Sequence, residues 1–359
     1  MAFLVTITGA TGRLGQAVVP LISKKYRTRL LVRDVSKAIA ILESNPKKSQ
    51  GLLDSKRPKS PRKTFRFCYK REFTKSQSEL VEIDLTAASI DDFRSAVRGS
   101  TVVIHLAGLV DLLASHEELF AVNFEITKKL VAACEAEKIP FFFHASSISV
   151  YADSDVQINE ESDKKPVTIY GESKLAAEQV VTSSKLNWVA LRPGIIYGPH
   201  FKDGFLPLIE QMKKKRAAII GTGENRVPLV YEGDVALAFL KCVDLAKAKS
   251  KDQKKILRQA FNVVGVHPTQ RQAYALLSEV FNVPMPTKVV SIRFAKSFAT
   301  LASVLAKFSG KRSAFPPEYI DLLARNRLYD VSKAKKVLGF VATTSVKSGM
   351  QEIRKAWNN

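Results

Sequence analysis

Residues that build metal centres and disulfide frameworks are scarce in this chain: 359 residues hold 3 cysteines and 5 histidines. Cys68, Cys134 and Cys242 are odd in number, far apart and outside any Cys-x-x-Cys spacing, which excludes a disulfide or zinc scaffold and fits reduced thiols in a cytosol. His105, His116, His144, His200 and His267 show no ligand spacing, so no metal is expected. Acid is in short supply too, with 34 Asp and Glu against 56 Lys and Arg, a net charge of +22. Such an excess suits an anionic partner: a phosphorylated substrate, an acidic membrane face or nucleic acid. A solvated basic surface accounts for it equally well. No basic, apolar leader precedes the first strand, because Met1-Ala2-Phe3 runs straight into it, and a cytoplasmic location is expected, with peripheral contact at a membrane surface left open.

A hydrophobic fraction of 46% indicates a globular protein, and the length exceeds one minimal nucleotide-binding unit. Apolar runs at Phe3–Thr8, Arg29–Val32, Leu80–Ile83, Val102–Leu106, Phe141–Ala145 and Trp188–Leu191 read as buried strands. Helical patterns such as Glu117–Ala136 and Gly171–Lys185 lie between them. This alternation predicts an α/β fold, a doubly wound parallel sheet covered on both faces. Residues 1–192 are expected to form the dinucleotide-binding domain, and residues 193–359 a smaller substrate-binding lobe, interleaved with the first or beside it. Glu43–Glu79 interrupts the alternation with Pro46, Pro58 and Pro61 and with eleven Lys/Arg against four Asp/Glu, and reads as a basic insertion, a mobile loop.

The richest stretch is Val5-Thr6-Ile7-Thr8-Gly9-Ala10-Thr11-Gly12-Arg13-Leu14-Gly15, an apolar run that breaks into three evenly spaced glycines before a helical pattern. A strand, a tight turn and a helix N-terminus of this kind bring backbone N–H groups and the helix dipole up to a pyrophosphate. Gly9, Thr11, Gly12, Arg13, Leu14 and Gly15 are therefore candidate cofactor contacts. Ser147 ends the buried run Phe141–Ser146, where open α/β sheets place their ligands. Tyr170 and Lys174 follow at i, i+4 on one helical face. A cation beside a phenol favours phenolate, so Lys174 is expected to lower the Tyr170 pKa and make Tyr170 a general acid/base, with Ser147 bonded to the substrate oxygen. Tyr329-Asp330-Val331-Ser332-Lys333 repeats the Tyr-x-x-Ser-Lys string without an upstream strand-end serine, and Tyr329 is read as structural.

Gly9-x-x-Gly12-x-x-Gly15, Asp84-Leu85, His105-Leu106-Ala107-Gly108, Ser147, Tyr170-x-x-x-Lys174, Leu191-Arg192-Pro193 and Tyr197-Gly198-Pro199, in this order, resemble the extended short-chain dehydrogenase/reductase family of the NAD-dependent epimerase/dehydratase type. The resemblance implies a Rossmann-like fold binding NAD or NADP. It places Asp84 and Leu85 near the adenine, Leu106, Ala107 and Gly108 along the adjoining ribose, Tyr170 and Lys174 at the nicotinamide ribose, and the Pro193–Ile196 stretch, with Pro193 and Ile196, along the nicotinamide. In NAD-using members an acidic residue ends the second strand and accepts bonds from the ribose hydroxyls. Here that position is Arg33, a cation suited to a 2′-phosphate with Arg13 as a second, so NADP is preferred over NAD. Asp34, next door, can serve NAD after a small register shift.

Dehydratases of this family carry acidic residues after the catalytic serine or threonine, whereas this chain has Ile148-Ser149. The expected function is therefore an NAD(P)-dependent oxidoreductase interconverting a secondary alcohol and a ketone, moderately apolar or sugar-linked. The alternatives are a nucleotide-sugar epimerase with tightly bound NAD, and a catalytically vestigial protein that binds RNA or membrane. Homodimerisation stays open. Phe294, Phe298, Leu301, Leu305 and Phe308 form an apolar helical stripe opposite Lys296, Thr300, Ser303 and Lys307. With Phe315-Pro316-Pro317 and Tyr329–Phe340, this stripe resembles the branch of 3β-hydroxysteroid dehydrogenases, dihydroflavonol reductases and hopanoid-associated epimerases. The stripe is expected to pack on the lobe or line an apolar substrate pocket, with membrane-surface docking as the alternative. Ten residues between Lys296 and Lys307 are too few to span a bilayer.

Overall fold

Phe142 and Phe143 face opposite sides of one strand and both are fully buried, which shows at the residue level how this sheet is covered twice. The computed structural model describes residues 3–42, 65–73, 76–111, 113–152, 154, 156–248, 251–308, 320 and 324–358. Strands β1 (Leu4–Thr8), β2 (Arg27–Val32), β3 (Phe65–Phe73), β4 (Ser76–Ile83), β5 (Val102–His105), β6 (Phe141–Ala145) and β7 (Asn187–Pro193) precede three short ones, β8 (Ile195–Tyr197), β9 (Ile219–Ile220) and β10 (Leu229–Tyr231). β11 (Gln259–Val263) then returns to the main sheet, and β12 (Val289–Val290) ends the series. The eight-stranded sheet has the order β11-β7-β6-β5-β1-β2-β4-β3. Every neighbour is parallel except β3, which runs antiparallel to β4 at the edge.

Helices Arg13–Ser23 and Glu232–Ala248 cover one face through Val18, Ile22, Val235 and Phe239. Ile90–Val97, Ile126–Ala136 and Ile169–Ser183 cover the other through Phe93, Leu130 and Val181. Local sequence starts several of them: Ser89 with Asp92 and Ser115 with Glu118 form capping boxes, and the Thr168 hydroxyl accepts the Gly171 N–H at 3.0 Å. The winding goes from β1 outward to β2 and β4, then crosses back to β5 on the other side of β1. The chain therefore leaves β1 and β5 for helices on opposite faces, and the loops after these strands lie at the sheet's switch point, where open α/β sheets bind ligands.

The basic insertion contains strand structure that was not expected of it. Residues 43–64 lie outside the described residues, but Phe65–Phe73 and Ser76–Ile83 pair as an antiparallel hairpin, with a register shift between Phe67 and Lys70. The alternation of aromatic and charged residues from Phe65 to Phe73 is a strand pattern that the charge count obscured. Glu79, taken as the end of the insertion, is buried between Arg27 and Arg29, and its oxygen Oε2 accepts the Arg29 Nε–H at 2.8 Å.

A second correction concerns the amphipathic helix, which runs Ile292–Phe308. Its small residues Ala295 and Ala299 are the buried ones, against Ile220 and Ile320, while Phe294, Phe298 and Leu301 are exposed. The apolar stripe therefore does not pack on the lobe over these positions. Alanines permit a closer backbone approach than phenylalanines, and the helix has settled on its small side.

Candidate active site

The glycine turn is shaped by contact with the loop after β5. Gly9 has φ +68°, and a Cβ there would lie 2.6 Å from the Ala107 nitrogen; one at Gly15 would overlap the Gly9 carbonyl oxygen. Gly12 is the N-cap of helix Arg13–Ser23 and supplies no side-chain cap, so the first-turn N–H groups face the switch point as a cradle for an anion. This arrangement fits a dinucleotide pyrophosphate. Thr11 and Leu14 are half-buried in the same turn, and Arg13 is exposed at its rim.

At the end of β2, Arg33 is exposed and its charge helps hold the Asp84 carboxyl below its ordinary value, after the larger contribution of the Thr86 hydroxyl bonded to Asp84 at 2.7 Å. Asp34 is engaged otherwise: its Oδ1 accepts the Lys37 N–H at 2.9 Å at the start of helix Val35–Leu42. Leu85 packs half-buried beside the core of that face. Leu106 continues β5 through an N–H bonded to the Thr8 carbonyl at 3.3 Å.

Ser147, Tyr170 and Lys174 converge below the ends of β5 and β6. Ser147 caps the short helix Ile148–Val150, accepting the Ser149 N–H at 3.1 Å. Its hydroxyl is also near enough to the Tyr170 phenol to favour the phenolate. The Lys174 ammonium is buried and donates to the Ala145 carbonyl at 2.6 Å, and a Cβ on Gly108 would sit 3.9 Å from it. The cofactor loop and the Tyr-Lys helix thus meet at Lys174.

The electrostatics depart from expectation. Burial pushes the Tyr170 phenol up, and the nearby Ser147 hydroxyl only partly offsets it. Lys174 is not what sets it: the ammonium is turned to Ala145, and burial has brought its own pKa down to about 8, against the opposing pull of Glu178.

Several supporting residues went unread in the sequence. Asn123, in a π-helical turn (Ala121–Glu125), accepts the Leu109 N–H at 2.7 Å and donates to Leu109 O and to Ser173 Oγ, pinning the loop after β5 to the helix of Tyr170 and Lys174. Glu178 takes a paired hydrogen bond from Arg192, at 2.6 and 2.9 Å, and another from Ser146 at 2.6 Å. Burial would raise the Glu178 carboxyl, but Arg192 and Ser146 together hold it below its ordinary value, so a buried anion stands one helical turn from Lys174. His105 bridges Thr8 and Thr127 at 2.7 and 2.9 Å, and burial beside Lys174 keeps it neutral, with a pKa near about 3.

Tyr329 is buried, with its ring stacked on His267 at 6.3 Å and its backbone bridged to Ile158. Lys333, its apparent partner, lies instead 3.6 Å from Glu161 and over the Phe261 ring, so the Tyr329-to-Lys333 string does not assemble a pair. Tyr329 does line a cavity of about 20 Å³, room for one water, together with Ser149, Thr168 and Arg327. Pro193 ends β7, and Ile196 lies half-buried in β8, which pairs with β10 in a separate two-stranded sheet.

Taken with the fold, a glycine cradle at the switch point beside a Ser-Tyr-Lys cluster defines a dinucleotide-dependent enzyme of the extended short-chain dehydrogenase/reductase kind. A model of the NAD dependent epimerase/dehydratase family matches residues 5–263, and the chain belongs to that family. It is 26% identical over 288 residues to a sterol-4-alpha-carboxylate 3-dehydrogenase, decarboxylating, of Saccharomyces cerevisiae, covering 75% of this chain and 80% of the relative. A UDP-glucose 4-epimerase of Vibrio cholerae is 24% identical over 287 residues, covering 76% and 81%. The crystal structure of a UDP-glucuronic acid 4-epimerase from Bacillus cereus in complex with NAD has the same fold, with a TM-score of 0.69 at 18% identity over 99% of both chains.

Proposed function

We propose that the protein interconverts a secondary alcohol and a ketone with NADP or NAD, using Ser147, Tyr170 and Lys174. The observation that carries this reading is a buried Lys174 at the Ala145 carbonyl, beside Gly108 in the loop that the glycine turn packs against, with Tyr170 one helical turn before it and Ser147 two residues after Ala145. Gly9, Thr11, Gly12, Leu14 and Gly15 would hold the pyrophosphate, Asp84 and Leu85 the adenosine, Leu106, Ala107 and Gly108 the adjoining ribose, and Pro193 and Ile196 the nicotinamide side. Arg33 and Arg13 would be the cations that meet a 2′-phosphate, and Asp34 accepts a bond from its own helix. The nicotinamide, when bound, supplies or accepts the hydride.

Ser147 holds the substrate oxygen in line with the Tyr170 phenol, and Tyr170 delivers a proton to that oxygen in reduction or removes one in oxidation. Lys174, charged below a pH of about 8, favours the phenolate once its ammonium swings from Ala145 toward the ribose and phenol. His105 and Asn123 keep the floor of the site neutral and in register.

Nucleotide-sugar epimerisation is the second reading, favoured by the likeness to a UDP-glucose 4-epimerase over most of both chains. Either chemistry needs the Tyr170 hydroxyl. Removing it in Tyr170→Phe is expected to lower turnover at least about 100-fold with cofactor binding retained, while Tyr329→Phe leaves turnover near the parent's. The assay follows NADPH consumption with apolar ketones and nucleotide 4-keto sugars, beside product isomer analysis with NAD-loaded protein and UDP-sugars. Undiminished turnover in Tyr170→Phe would overturn the assignment.

A further inference from the structure

We propose that helix Ile292–Phe308 docks the enzyme on an anionic lipid surface. Phe294, Phe298 and Leu301 lie at i, i+4 and i+7, so they share one face, and they are 64%, 67% and 58% exposed. The face cannot simply turn inward: Ala295 and Ala299, at 8% and 2% exposure, fix the opposite flank of the helix against Ile220, Val290 and Ile320. The helical spacing of apolar residues continues in the sequence to Leu305 and Phe308. Two bulky aromatics and a leucine held outward on a fixed helix form a contiguous apolar patch of the kind that marks an interaction site.

Charge selects the occupant. No Asp or Glu occurs between Glu279 and Glu318, a stretch carrying Lys288, Arg293, Lys296, Lys307, Lys311 and Arg312, in a chain of net charge +22. Lys296 and Lys307 lie opposite the stripe and Arg293 at its flank, so a second copy of this cationic segment would be repelled, and a nucleic acid would use the cations but leave the phenylalanines and leucine unburied. An anionic bilayer takes both, with headgroups meeting the basic residues and the acyl boundary receiving the apolar stripe. Among the described residues no helix is long and apolar enough to cross a membrane, so the contact is one of lying on the surface.

The test is co-sedimentation of the full chain, loaded with NADPH, with vesicles of phosphatidylcholine mixed with phosphatidylserine and with vesicles of phosphatidylcholine alone. The parent should bind the mixed vesicles, and binding should fall steeply as salt rises. Phe294→Ser with Phe298→Ser and Leu301→Ser should lower the partition by at least about tenfold. Unchanged thermal stabilisation by NADPH verifies that the triple variant is folded. As a milder probe, Phe298→Trp should show a blue-shifted emission with mixed vesicles. The proposal is overturned by a parent that does not sediment with either vesicle, by a triple variant that binds as the parent does, by an unshifted tryptophan, or by light scattering in which the parent is a dimer that the triple variant dissolves.

Discussion

Lys174 is the residue where structure and chemistry pull against each other. Its ammonium is buried, bonded to Ala145, and brought by that burial from 10.5 to about 8. Between those values the unfolded chain holds a proton that the folded chain lacks, so this residue's contribution to stability rises with pH, by about 1.4 kcal/mol per unit from pH 8 to 10. Below pH 8 both states are charged, the slope vanishes and the cost of burying the cation is fully present. Lys174→Met removes that titration. Urea unfolding of the two proteins should therefore show the parent gaining on the variant as pH rises from 8 to 10, whatever their offset at neutral pH; parallel curves would mean that the ammonium is not desolvated in the folded state. In the proposed reaction the same charge is what the phenol of Tyr170 needs, and the residue would there trade stability for chemistry.

Among elements, the hairpin of β3 and β4 changed most between sequence and structure. Its integrity rests on Glu79, buried beside Arg29, which also donates to the Ala96 and Arg98 carbonyls at 2.9 and 2.8 Å and so ties β2 and β4 to the end of helix Ile90–Val97. Glu79→Ala strips the carboxylate from a buried guanidinium and should cost about 3 kcal/mol, read as a fall in the urea midpoint. A cost near zero would place Glu79 with the solvent-exposed pairs. The strands, the glycine turn and the Tyr-Lys helix were legible because their signals are local, carried by period and spacing over a few residues. Glu178 and Asn123 were not, since their roles arise from partners that the fold brings in: Arg192 on β7 and Leu109 after β5. A Lys174-x-x-x-Glu178 spacing was present as a clue, but i, i+4 pairs are common on helix surfaces. The amphipathic stripe likewise showed which residues share a face of Ile292–Phe308, not which face its neighbours would accept.

For the whole molecule, the question is whether residues 1–192 form a unit that folds without the remainder. β7 has β6 on one side and β11 on the other, with Ala260 to Val263 paired to Ala190 to Pro193. The core on the face of helix Arg13–Ser23 takes Val235, Phe239, Cys242 and Val243 from helix Glu232–Ala248, and Phe261, Leu338 and Phe340 from still later in the chain. Asp244 on that helix pairs with Lys25 at 2.7 Å and accepts the Tyr26 hydroxyl. A buried polar chain crosses the same boundary: Arg192 donates to the Tyr151 hydroxyl at 2.6 Å, Tyr151 to Asn262 at 2.7 Å, and the Asn262 N–H to Glu160 at 2.8 Å. A chain ending at Arg192 would expose one side of β7, uncover Val18 and Ile22, and leave Tyr151 and Glu160 without Asn262. Each loss falls on groups that are nearly fully buried in the intact protein. Fragment 1–192 should therefore lack cooperative thermal unfolding and gain no stabilisation from NADPH, whereas a chain ending after Phe340 keeps all of these contacts and should retain a broad transition. Circular dichroism melts of the two fragments decide it: a sharp, NADPH-shifted transition in 1–192 would show that the glycine cradle is supported by the first half alone.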